Sequence, residues 1–157
     1  MKKIFLVSLF LLIAFNGFSE TYGQIQNRFK LWYTDSMIQR VRTIVSEAID
    51  KFNQNKTKEN YLEVIRSHAV AEAYWQTVRD TAEKLYEIFG DRMGDFKYNV
   101  IFESASDNYD YYDNKTSELI EDYQTRFPNE DGAWNYWANG NSLFSDYFNT
   151  ATRRITN

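Results

Sequence analysis

Apolar residues recur along most of this chain at alternating steps of three and four, the spacing that turns one face of an α-helix toward a core. In the first segment Leu31, Ile38, Val41, Val45, Ala48 and Phe52 keep that step, with Thr34 in the one polar slot. The run Asn53-Gln54-Asn55-Lys56 ends it, and Thr57 can cap the next helix. The second segment holds the step over Tyr61, Val64, His68, Ala71, Trp75, Val78, Ala82, Leu85 and Phe89, flanked by Ile65, Tyr74, Tyr86 and Ile88. Gly90 then stands where a left-handed C-terminal residue is wanted. The third segment runs through Tyr98, Phe102, Ala105, Tyr109, Tyr112, Thr116, Leu119 and Tyr123, with Asp95 as a cap before it and Pro128 barring its continuation. Its middle, Ser106 to Ser117, is rich in Asp, Asn, Ser and Thr, so a break near Asp113-Asn114 is one of its expected features.

These segments predict three long helices of about 26 to 32 residues, each roughly 40 to 48 Å long at 1.5 Å per residue. Connections of about five residues force neighbours to run antiparallel, and a step near 3.5 favours a shallow crossing angle. The tail predicts two short helices. One runs through Trp134 and Trp137, the other from Ser142 to about Ile155 with Leu143, Phe144, Tyr147, Phe148 and Ala151 on one face, and Asn139-Gly140 lies between them. Nothing reads as strand, linker or tandem repeat, and the one proline and six glycines sit largely where helices should stop. The fold class expected is therefore all-α: an antiparallel bundle of three long helices plus short C-terminal helices. Continuous heptads are also compatible with a homodimer of long hairpins.

The first residues obey a different rule. Lys2 and Lys3 precede an apolar run from Ile4 to Phe15 broken only by Ser8, and small residues then offer cleavage after Ser19 or after Gly23. Those are the three parts of a secretory signal, whereas a spanning helix needs about 20 apolar residues. Cleavage after Gly23 suits the chain best, because it turns fully polar at Gln24. The reading divides the chain into a signal peptide, residues 1–23, and a single helical-bundle domain, residues 24–157. Cysteine is absent, which removes disulfides, thiol catalysis, Cys-ligated zinc and a lipid-modified N-terminal cysteine from consideration. The expected location is periplasmic or secreted, with no membrane helix in the mature chain.

Charge narrows the partners. With 18 basic against 22 acidic residues the chain lacks the cationic excess that phosphate backbones select, so nucleic acid is not an expected ligand. The charge is unevenly spread. Residues 24–58 carry seven basic and three acidic groups, and residues 103–122 carry seven acidic groups with Lys115 as the one base. A basic helix lying beside an acidic one would account for this as solvated surface. A functional reading instead docks a basic partner on the acidic stripe, at Asp107 and Asp110.

Candidate chemistry is sparse. His68, the only histidine, has Glu72 one turn beyond it, a spacing that lets two ligands share a metal on one helix face. Carboxylate-bridged bundles need several more ligands and a second histidine, and Glu63 lies on the wrong face, so His68 reads as a hydrogen-bonded core residue. Asp107, Asp110, Asp113 and Glu118 fail the calcium-loop spacing, since Tyr109, Tyr111 and Tyr112 stand at its third, fifth and sixth positions. Glu103-Ser104 has no glycine-rich segment nearby to form the cleft that glycoside hydrolysis requires. Neither a Gly-x-Ser-x-Gly turn nor a phosphate-binding glycine loop occurs. No catalytic residue, metal site or cofactor is expected.

Aromatic side chains make up 18% of the chain, and three of them crowd into Trp134-Asn135-Tyr136-Trp137. Trp134 and Trp137 share a helical face that should close the end of the bundle, leaving Tyr136 outward. The same rings beside amides suit sugar faces or a protein hot spot. The function expected is thus an exported, non-enzymatic bundle protein of chaperone, inhibitor, immunity or adaptor type, holding another envelope protein. The alternatives are a glycan or small-ligand binder using Trp134, Tyr136 and Trp137, and a metal-dependent enzyme centred on His68 and Glu72.

Overall fold

The structure, a computed structural model, describes residues 22–93, 96–128, 130 and 132–153. Nearly all of the leader expected over residues 1–23 lies outside these, as does the cap expected at Asp95. Five helices packed against one another make up the rest: α1 (Tyr22–Trp32), α2 (Asp35–Gln54), α3 (Lys58–Phe89), α4 (Tyr98–Arg126) and α5 (Gly132–Arg153). Between α3 and α4, β1 (Arg92–Met93) pairs antiparallel with β2 (Phe96–Lys97), Arg92 opposite Lys97 and Met93 opposite Phe96. Nothing in the residue pattern announces this hairpin, because two residues per strand are too few to show a period.

The first long helix expected is in fact two. Thr34 adopts extended backbone and its side chain accepts from the Met37 amide at 3.2 Å, so the residue fitted to a polar slot in the seam is an N-cap that starts α2. The break leaves carbonyls at the end of α1 without helical partners. One of them, Trp32 O, accepts from the buried Tyr74 hydroxyl at 3.0 Å. Leu31 falls outside the seam and is exposed. Thr57 caps α3 through the Asn60 amide at 3.2 Å. At its other end Gly90, with φ of 73°, donates to Tyr86 O at 2.8 Å. Helix α4 is continuous across Asp113-Asn114, and it begins after Lys97 without a side-chain cap.

The tail also differs from expectation. Instead of two short helices, α5 is one helix that passes straight through Asn139-Gly140. Gly140 is inside it because α5 crosses α3 there too closely for any other residue. A Cβ on Gly140 would stand 2.6 Å from Arg66 O and 2.7 Å from Ala69 Cβ. The glycine that reads as a stop is a notch for packing.

Helix α3 is the axle of the molecule. Helices α1, α2, α4 and α5 all pack on it, whereas α5 touches α4 little. Residues on a helix succeed one another by about 100°, so an unbroken buried run means enclosure on every side. Ser67 to Ala69 and Ala71 to Trp75 form such runs. The apolar seam expected for this segment is buried from Tyr61 to Leu85, but it makes up the whole buried face only in the C-terminal half, at Val78, Ala82 and Leu85. Contacts fix the directions. Tyr61 meets Tyr123, His68 meets Tyr112 and Phe89 meets Tyr98, so α4 is antiparallel to α3. Phe52 packs on Tyr61 and Trp32 lies by Tyr74, so α1 and α2 are antiparallel to α3 as well. From Leu62 beside Gly132 to Ala69 beside Gly140, α5 runs in the direction of α3.

The interior has two apolar parts. The larger joins Phe29, Trp32, Val41, Val45, Val78, Leu85, Tyr98 and Ile101, among others, and the smaller joins Tyr61, Leu62, Ile65, Ile120, Tyr123 and Ala133. Between them along α3 and α4 lie the buried polar residues Ser67, His68, Glu72 and Thr116. Among the described residues, no helix is long and apolar enough to cross a membrane.

Candidate functional site

Three places carry the chemistry: the buried polar layer, the outer face of α4, and the start of α5. In the layer, His68 is 3% exposed and its Nδ1 lies 2.8 Å from Val64 O. A carbonyl oxygen only accepts, so Nδ1 carries the proton and donates. The ring meets Tyr112 edge-on with centroids 6.0 Å apart. Burial holds the imidazole below its ordinary pKa. The Val64 bond opposes that shift and the nearby Lys115 charge adds to it. His68 is therefore the hydrogen-bonded core histidine its place in the seam suggests.

Glu72 is the less expected member. It is 5% exposed, and its Oε2 accepts from the indole N–H of Trp137 on α5 at 3.2 Å. Burial raises its carboxyl above the ordinary glutamate value. The Trp137 bond and the contact with the Thr116 hydroxyl act against this shift, and the Asp113 charge reinforces it. Thr116 donates to Tyr112 O at 2.7 Å, which keeps its hydroxyl satisfied within α4. The side of the layer facing α4 continues outward through Tyr109. The Arg79 guanidinium lies over the Tyr109 ring, 4.3 Å from its centroid. So the carboxyl of α3, a threonine of α4 and an indole of α5 tie the three helices at one level. In the sequence, Glu72 stands out only as a neighbour of His68. The signal it offers is its position between Ala71 and Ala73-Tyr74-Trp75, a charge set in an apolar stretch.

Among the described residues, no group of three or more His, Cys, Asp or Glu side chains could hold a metal ion. His68 and Glu72 instead spend their polar atoms on the backbone and on Trp137.

On α4, Glu103, Asp107, Asp110 and Asn114 are all exposed along one face. Tyr111 stands among them at 60% exposure, its ring edge-on to Tyr112 at 5.1 Å. Nearby, Lys115 bonds Glu118 at 2.7 Å, and Arg126 bonds Asp122 at 2.8 Å. Asp107 and Asp110 thus remain on a solvated surface, one turn of helix apart.

The aromatic cluster is turned the other way from expectation. Trp134 is 53% exposed, whereas Tyr136 and Trp137 pack against the smaller apolar part of the interior. Trp134 and Trp137 meet edge-on, 5.9 Å apart. Gly140 and Ala133 meet α3 on the same side of α5 as Trp137, whose indole bonds Glu72, and this leaves Trp134 outward. Trp134, Tyr136 and Trp137 consequently do not share one open surface.

The fold and these sites define an all-helical bundle built on a central buried helix, with an acidic outer face. The chain matches no family model, and no curated protein or solved structure is significantly similar to it.

Proposed function

We propose that this is an exported, non-enzymatic interaction protein of the cell envelope or extracellular space, which holds a basic surface of another protein on the outer face of α4. Export rests on the leader sequence of residues 1–23. The observation that supports the binding reading is the exposed Tyr111 set among Glu103, Asp107 and Asp110. An exposed aromatic offers an anchor that bulk solvation does not explain, and carboxylates around it steer a cationic partner and exclude an anionic one. A glycan platform of Trp134, Tyr136 and Trp137 has less support, since two of the three rings pack inward.

The test compares the mature protein with an Asp107→Lys, Asp110→Lys variant as bait in envelope extract, at low and at high salt. The proposal expects a partner retained at low salt, released at high salt and lost by the charge-reversed bait. Recovery of the same proteins by both baits, or of nothing sensitive to salt, would overturn it.

A further inference from the structure

We propose that α5 is a proton-sensitive latch: it closes on α3 most firmly when the Glu72 carboxyl carries a proton and opens more readily when that carboxyl is ionised. The inference stands on the seat of α5 and does not depend on the acidic face of α4.

The seat lies almost wholly on one helix. Helix α5 packs chiefly on α3 and touches α4 little, so it can leave without dismantling the α3–α4 contact. What holds it there is the close crossing at Gly140, the burial of Ala133 and the Trp137–Glu72 bond. A carboxylate at a helix–helix seat is an unusual choice, because removing a charge from water is costly unless it is paired with an opposite charge. Among the described residues, no cation acts on this one. From α4 it meets Thr116, the Asp113 carboxylate and the Tyr109 hydroxyl, and from α5 the neutral Trp137 indole. On α3 itself its titratable neighbours in sequence are Tyr74, whose hydroxyl donates to Trp32 O, and His68, whose burial disfavours the charged imidazole, and Arg79 is engaged over the Tyr109 ring. Lys115 acts on His68, and Arg42 of α2 on Tyr112. The protonated carboxyl keeps the Trp137 bond, since its carbonyl oxygen still accepts, and sheds the charge. Opening lets water reach the carboxyl and releases the proton to solvent.

Linkage fixes the sign. With the closed-state value above the ordinary 4.5 and the open-state value between the two, since the Asp113 charge of α4 stays beside the carboxyl, closure is unpenalised below pH 4.5. The penalty grows as pH rises from 4.5 and levels off above the raised closed-state value. Between the two the opening constant of α5 rises by up to about tenfold per pH unit, the limit for one proton.

The test is native-state hydrogen exchange of the whole mature chain from pH 4.5 to 8, corrected for intrinsic rates, comparing amides of residues 133–142 with those of α4. The proposal expects the opening constant of α5 to climb with pH relative to α4 in the wild type. It expects Glu72→Gln, which keeps an acceptor and cannot ionise, to flatten that climb to the low-pH level. His68 is present in both proteins, so its own titration cancels. A wild-type opening constant that does not change with pH relative to α4, or a Glu72→Gln profile with the wild-type slope, overturns the latch. Should Glu72→Gln fail to fold, the Glu72 carboxyl followed directly by NMR in the wild type decides: a midpoint above 4.5 supports the latch and one at or below 4.5 overturns it.

Discussion

Helices α4 and α5 both lie on α3, yet they are held in different ways. Along α4, Tyr98, Ile101, Ala105, Tyr112, Thr116, Ile120 and Tyr123 are buried at nearly regular intervals over the full helix. Each large apolar residue so enclosed is worth about 1.5 to 3 kcal/mol, spread over many contacts. Among its described side chains, the seat of α5 has Ala133 buried, Tyr136 and Trp137 half-buried, a glycine notch at Gly140 and one indole–carboxyl bond. An interface of the first kind tolerates small errors because its free energy is distributed. One of the second kind depends on a few atoms in close register, and so is easier to open or to regulate.

The largest way to break this contrast is on the α3–α4 side. Val78, 1% exposed, sits in the larger apolar part with Tyr98 and Ile101. Val78→Asp buries a charge without a partner and is expected to cost several kcal/mol, on the order of 4. Urea denaturation followed by circular dichroism measures this, with α4 and α5 lost together. A change within error would mean that Val78 faces water.

A smaller effect is expected on the α5 side, from Gly140→Ala. Alanine gains about 1 kcal/mol in helix propensity over glycine. Against this, the new Cβ meets Arg66 O at 2.6 Å and Ala69 Cβ at 2.7 Å, both of them backbone or rigid atoms. Overpacking of that kind costs about 1 to 3 kcal/mol, so net destabilisation of about 1 kcal/mol is expected, with loss of exchange protection confined mainly to α5. A gain in stability would show that the two helices are not held at the notch.

The same contrast separates the features legible in the sequence from those that are not. The α3–α4 pairing follows from apolar spacing, because burial of area is what spacing encodes, and Thr57, Gly90 and Pro128 mark the ends as their chemistry requires. Residues that act through a single close contact carry the opposite message. Gly140 reads as a helix stop, since glycine's weak helix propensity is visible in sequence and the neighbouring backbone is not. Thr34 reads as a polar slot because a cap and a seam position share the same step. Glu72 is overshadowed by His68, although it is Glu72 that bonds the Trp137 indole of α5. The enclosure of α3 on all sides is hidden for a related reason. Ser67 and Glu72 stand off the apolar seam that holds His68, and nothing in the spacing shows that neighbouring helices cover them.

That enclosure is the central feature of the bundle, and the chain offers one direct probe of it, because His68 is its only histidine. Proton NMR of the mature protein should show a single imidazole whose ring protons give cross-relaxation to the Tyr112 ring, 6.0 Å away between centroids. Its titration midpoint should lie below the ordinary 6.5, burial being the main cause. A histidine without contact to Tyr112 that titrates at 6.5 or above would contradict a buried polar layer at the centre of the bundle.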